Sequence, residues 1–185
     1  MHKSEGTQNL VLAALFMALG VLLPLAFHAV GAGRLFLPMH LPVLLSGFLV
    51  GPTVGLLVGL STPLLSSLLT GMPPLMPPIA PVMTLELATY GWLSGFLYRT
   101  WGGRVWPALV AAMTGGRIVY GLAAAYLLPL FGFTAVPFWA PLTVGLLDSW
   151  PGILLQLVFV PAVVRMATRH APLPQSQRFR DSGGS

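Results

Sequence analysis

The sequence lacks cysteine and is poor in charged residues. None of its 185 residues is a cysteine, which excludes disulfides and thiolate metal ligands. Only 7% of the residues are charged and 56% are hydrophobic, whereas a soluble domain carries about 25% charged residues. So few charges could not cover a surface in contact with water. The composition therefore predicts an integral membrane protein.

Several catalytic motifs are also missing from the sequence. It has no HExxH, GxGD or CxxC motif and no glycine-rich phosphate loop, so we predict no metal, no cofactor and no ATPase activity. Ser66 or Ser67, with His40 as base, could form an intramembrane serine hydrolase. The same serines are typical of helix packing, because membrane serines bond to backbone carbonyls. Such a hydrolase normally needs a third group, and none is evident.

Six apolar segments predict an all-α bundle of six transmembrane helices with a short second helix. A spanning helix needs about 20 apolar residues, so the second segment is too short to span upright. Five prolines exclude a helix across Gly71–Pro81, and Gly115–Arg117 predict an interruption of the fifth segment. The segments are residues 9–30, 40–50, 54–70, 82–98, 105–128 and 138–166.

The basic residues indicate how the bundle is oriented. If the N-terminus is cytoplasmic, only Arg34 lies outside, and Arg117 lies in the membrane. Cytoplasmic loops are enriched in lysine and arginine, so both termini are predicted to be cytoplasmic. The net charge of +5 thus reflects topology and predicts no nucleic-acid partner. Residues 1–8 form a cytoplasmic N-terminal segment, 9–166 the membrane domain, and 167–185 a basic tail predicted to be disordered. The basic residues on the inner side are Lys3, Arg99, Arg104, Arg165, Arg169, Arg178 and Arg180.

Three ionisable residues, Glu86, Arg117 and Asp148, fall inside predicted membrane segments. Each costs about 2.5–3.5 kcal/mol at the centre of a bilayer, so they are expected to face the bundle interior and one another. At about 1.5 Å per residue, Arg117 and Asp148 lie near the middle of the membrane and Glu86 nearer the outside. They could set helix register in a ligand-free scaffold. Ionisable groups in membranes are usually functional, which favours a site for a solute.

Other polar and aromatic residues are weaker candidates for such a site. Arg34 lies in an apolar loop, where arginine is usually solvated, and His40 could simply cap the short second helix. Tyr90, Tyr120 and Trp150 could stack on a planar ligand, although packing explains buried aromatic residues equally well. On the first segment, Ala14 and Ala18 form an AxxxA pair that would let another helix approach closely.

From about residue 9 to 166, the chain resembles the substrate-binding S-components of energy-coupling factor (ECF) transporters, which are prokaryotic vitamin importers. Five features carry the resemblance, and they occur in order along six segments with a short second helix. They are the AxxxA pair, PMHLPVLLSGFLVGP, GLLVGLSTPLLSSLLTGMPP, ELATYGWLSGFLY and GGRIVYG.

The resemblance implies a subunit that binds a vitamin or related micronutrient near the outer face of the prokaryotic cell membrane. It also implies association with a transmembrane coupling subunit, contacted through Ala14 and Ala18, and with two ATPase subunits. The substrate does not carry over from the family. Charges of both signs favour a compact zwitterionic or heteroaromatic molecule. The candidate binding residues are Arg34, His40, Glu86, Tyr90, Arg117, Tyr120, Asp148 and Trp150.

Overall fold

A computed structural model describes residues 2–29, 31, 36–76, 79–134, 137–139, 143 and 147–170. The described part is all-α, as the composition predicts. Four of its helices, α1, α3, α5 and α6, are long and apolar enough to cross a membrane. The helices are α1 His2–Ala29, α2 His40–Leu49, α3 Pro52–Thr70, α4 Ile79–Thr100, α5 Val105–Leu130 and α6 Trp150–His170.

The short helix α2 lies inside the bundle. Its ten residues extend about 15 Å, half the thickness of a bilayer core. Every residue from His40 to Phe48 is buried, in keeping with a sequence that is apolar on all sides except at His40 and Ser46. At its C-terminal end, Arg99 Nη2 donates to the carbonyl oxygen of Val50 at 2.7 Å. This bond satisfies one of the carbonyls that a helix end leaves without an intrahelical partner.

Helices α3 and α4 meet along a glycine seam formed by Gly55, Gly59 and Gly91. A Cβ atom on Gly91 would overlap the backbone of Gly55, and one on Gly59 would overlap the backbone of Leu87. Residues without side chains allow helix backbones to approach this closely in membranes. The seam accounts for the four-residue spacing between Gly55 and Gly59 on α3.

Two predictions, one about where a helix begins and one about a break within a helix, are wrong. Helix α4 begins at Ile79, inside the proline-rich stretch predicted to be non-helical, and α5 runs without a break through Gly115–Arg117. A Cβ atom on Gly116 would overlap the ring of Tyr90. The glycine therefore gives room to a side chain of the neighbouring helix, and it does not interrupt α5.

The predicted sixth segment also differs in the structure. The chain bends at Ser149, and α6 begins at Trp150 and continues through His170. Helix α6 alone is long enough to cross a membrane. Asp148 therefore precedes the first residue of a span-length helix, and the continuous helix on which its predicted depth rested is not observed. Residues 171–185, most of the predicted tail, lie outside the described residues.

Candidate functional site

A cavity of about 640 Å³ opens at one end of the bundle. It lies where α1 and α3 end and where α2, α4 and α6 begin, and the middle of α5 completes it. His28 and Asp148 are exposed at its rim, whereas His40 and Glu86 are buried at its floor. The other lining residues are mostly apolar and include Leu37, Pro38, Met39, Met72, Pro73, Pro74, Ile79 and Met83.

Glu86 is the centre of the cavity floor. Its Oε1 accepts a hydrogen bond from the Tyr90 hydroxyl at 3.0 Å and lies 3.2 Å from Arg117 Nη1. The Glu86 side chain is 2% exposed and that of Arg117 is 14% exposed. A buried carboxylate is costly unless it is paired and hydrogen-bonded, and these two contacts meet that requirement. The ion pair also joins α4 to α5.

Helical spacing explains how these side chains come together. Tyr90 follows Glu86 by four residues on α4, so the two share a face, and side chains lean toward the helix N-terminus. The Tyr90 hydroxyl therefore reaches back to the carboxylate. On α5, Arg117 and Tyr120 are three residues apart and both line the cavity. Gly116 provides the space that the Tyr90 ring occupies between the two helices.

His40, the first residue of α2, lies against this cluster. Its ring centroid is 5.2 Å from that of Tyr90, and its Nε2 is 3.8 Å from Glu86 Oε1, which is beyond hydrogen-bond distance. Neither ring nitrogen has a hydrogen-bond partner within the described part of the chain, although both are buried. Buried polar atoms are nearly always hydrogen-bonded. Since His40 lines the cavity, a molecule bound there could supply the missing partner for these buried nitrogens.

The remaining predicted binding residues are placed differently. Asp148 lines the rim of the cavity but forms no ion pair with any residue that the structure describes, so its predicted contact with the other two charges is not observed. Trp150 is 59% exposed and does not contribute to the cavity lining. Arg34 lies outside the described residues.

Sequence reasoning missed His28 and the methionines of the cavity. His28 Nδ1 lies 2.8 Å from the carbonyl oxygen of Pro24 within α1, and both residues line the cavity. Met39, Met72 and Met83 come from three different parts of the chain. No periodicity in the sequence connects these residues. Their common signal is position, because each lies close to a break or a helix end on the same side of the bundle.

The serines proposed for a hydrolase have structural partners. Ser66 Oγ donates to the carbonyl oxygen of Met72 at 2.7 Å, and both Ser66 and Ser67 are buried. Among the described residues, His40 forms no hydrogen bond with either serine. The bond from Ser66 instead ties the end of α3 to the loop that lines the cavity. The hydrolase interpretation therefore gains no support.

A second concave surface, the α1 groove, contains the AxxxA pair. Ala14 and Ala18 are exposed, and they line a groove of about 430 Å³ between α1 and α3. Small residues at a membrane surface permit close packing of another helix. The other residues that line the α1 groove are all apolar: Met17, Val21, Leu22, Leu65 and Leu69.

Comparison with known proteins gives one finding about family. The family model described as the substrate-specific component of ECF transporters matches residues 8–164, from α1 into α6. No curated protein and no solved structure matches the chain. The family match therefore covers both the cavity and the α1 groove.

Proposed function

Since the chain belongs to the family of ECF transporter substrate-specific components, we propose that it captures a vitamin or related micronutrient in the cavity for an ATP-driven importer. The observation that carries this proposal is the buried polar floor of His40, Glu86 and Arg117. Small-molecule sites have volumes of about 300–1,000 Å³, are mostly apolar and contain a few convergent polar groups. The cavity has all three properties.

The proposed orientation places the cavity at the outer face of the cell membrane. Helix α4 starts beside the cavity and is about 33 Å long, so the turn that carries Arg99 and Arg104 lies at the opposite end of the bundle. Arg165 and Arg169 lie in the last turns of α6, which also starts at the cavity. Basic residues are enriched on the cytoplasmic side. This distribution supports a six-span bundle with both termini in the cytoplasm.

The ligand can be identified directly from the purified protein. The chain is purified in mild detergent and denatured, and the extract is searched by mass spectrometry for a small molecule present at about one per chain. A single vitamin-like compound is the expected result. A chain that carries no such compound and also fails to co-purify with a transmembrane coupling subunit would contradict the proposed function.

We propose that the α1 groove is the surface contacted by the coupling subunit. Ala14→Trp would fill the groove beside α3 without reaching the cavity, since no residue lines both surfaces. We expect this variant to bind ligand normally and to lose ATP-dependent uptake in cells that contain the coupling module. Ala162→Trp is the matched control, because Ala162 is an exposed alanine on α6 and lies outside the groove. Normal uptake by Ala14→Trp would refute the contact.

A further inference from the structure

We propose that the cavity floor recognises an uncharged, planar edge carrying a hydrogen-bond donor next to an acceptor, as in an amide, a lactam or an aminopyrimidine. A carboxylate is rejected at this position. The inference rests on the proposed function, because it assigns the chemistry of the ligand that the same cavity binds. Of the two ligand types expected from the sequence, zwitterionic and heteroaromatic, the proposal favours the heteroaromatic one.

The charge balance at the floor favours an uncharged ligand group. Glu86 and Arg117 form an ion pair at 3.2 Å, and their charges cancel. A ligand carboxylate would place a second anion beside Glu86, and a ligand ammonium would place a second cation beside Arg117. Like charges in contact at a desolvated site are strongly unfavourable. A neutral group avoids both penalties.

The cavity floor has both hydrogen-bond donors and hydrogen-bond acceptors left for a ligand. Tyr90, Arg117 and His40 all approach Glu86 at Oε1, so Oε2 keeps acceptor capacity among the described residues. The guanidinium of Arg117 has five N–H donors, and its contact with Glu86 is through Nη1. A neutral imidazole has one donor and one acceptor nitrogen, and neither nitrogen of His40 is paired within the described chain. An edge that both donates and accepts can satisfy these groups together.

The walls of the cavity favour a ring system behind that edge. Met39, Met72 and Met83 contribute flexible thioether side chains, which adapt to neighbouring groups and make favourable contacts with aromatic rings. Tyr120 adds an aromatic ring beside Arg117. A flat heteroaromatic molecule would bury its faces against this surface while its polar edge reaches the floor.

Matched pairs of aromatic amides and carboxylates test the proposal on the intact chain in detergent. The probes are nicotinamide with nicotinate, and naphthamide with naphthoate, because each pair differs only in the neutral or anionic group. Binding is measured by calorimetry at about pH 8, where both carboxylate probes are fully ionised. We expect each amide to bind at least roughly tenfold more tightly than its carboxylate, the ratio that about 1.4 kcal/mol produces.

Glu86→Gln makes the expectation sharper. This change leaves the charge of Arg117 unbalanced, so the preference should reverse and the carboxylates should bind more tightly than the amides. Glu5→Gln is the matched control, since it makes the same chemical change on α1 and should keep the wild-type preference. If Glu86→Gln fails to fold, the comparison of amide and carboxylate binding to the wild-type chain still tests the proposal.

Equal or tighter binding of the carboxylates to the wild-type chain overturns the proposal, and so does binding of none of the four probes. Co-purification with a coupling subunit is measured in parallel. A chain that assembles with that subunit but prefers carboxylates refutes only the ligand class. A chain that neither assembles nor binds any probe refutes the proposed function as well.

Discussion

Substituting Glu86 and Arg117 is the most direct test of whether their ion pair stabilises the bundle around its cavity. Arg117→Leu would leave the buried carboxylate with the Tyr90 hydroxyl as its hydrogen-bond donor, and Glu86→Gln would leave the guanidinium without its counter-charge. Removing one partner of a buried pair costs about 3–5 kcal/mol of folding free energy, because the other charge stays buried.

We expect each single change to cost an amount near the lower end of that range, about 3 kcal/mol. The Tyr90 hydrogen bond persists in Arg117→Leu, and the Arg117 side chain retains 14% exposure at the cavity. The double variant leaves no uncompensated charge, so it should cost no more than about 3 kcal/mol, well below the sum of about 6 kcal/mol. The resulting coupling energy is at least about 3 kcal/mol, at or above the upper end for residues in direct contact.

The assay is equilibrium unfolding in mixed micelles of a mild detergent and dodecyl sulfate, followed by circular dichroism. Wild type, both single variants and the double variant complete the cycle. Arg169→Leu serves as the control, because it removes an exposed arginine of α6 and should change stability by less than about 0.5 kcal/mol. Additive single effects, with a coupling energy below about 0.5 kcal/mol, would refute the energetic role of the contact.

Two further changes test the surroundings of the pair in the same unfolding assay. Gly91→Ala should destabilise the bundle by about 3 kcal/mol, because its Cβ atom would overlap the backbone of Gly55. Gly6→Ala meets no atom within 4 Å and should be neutral or slightly stabilising, so equal effects of the two changes would argue against the glycine seam. Tyr90→Phe removes a 3.0 Å hydrogen bond to a buried carboxylate and should cost roughly 1.5–3 kcal/mol. Unchanged stability in Tyr90→Phe would show that this bond contributes little.

The sequence was sufficient to predict the fold class and part of the charge pairing. In a bilayer, every span must be a long apolar helix, so composition and segment length identify the class directly. The same physics requires ionisable groups to avoid lipid, and the predicted contact between Glu86 and Arg117 is observed. The four-residue spacing of Tyr90 from Glu86 is also visible in the sequence, although its role as a hydrogen-bond donor was not predicted.

Other features depend on neighbours that a single sequence does not reveal. Glycine normally weakens a helix, so the sequence predicts a break in α5. In the structure, position 116 requires glycine because the Tyr90 ring packs against its backbone. The predicted depth of Asp148 assumed one continuous helix, and the bend at Ser149 invalidates that count. The cavity methionines come from separate helices and loops, so only the folded chain brings them together.

The glycine seam connects the cavity to the α1 groove through helix backbones. Glu86 on α4 precedes Leu87, whose backbone packs against Gly59 of α3, and α3 in turn contributes Leu65 and Leu69 to the groove. Backbone contacts of this kind have no side-chain rotamers that could repack, so the α3–α4 pair is best regarded as one rigid body. A ligand at Glu86 could therefore change the groove only by moving other elements against this pair. Helix α1 is the element placed to do so, because it lines both the cavity, through His28, and the groove, through Ala14.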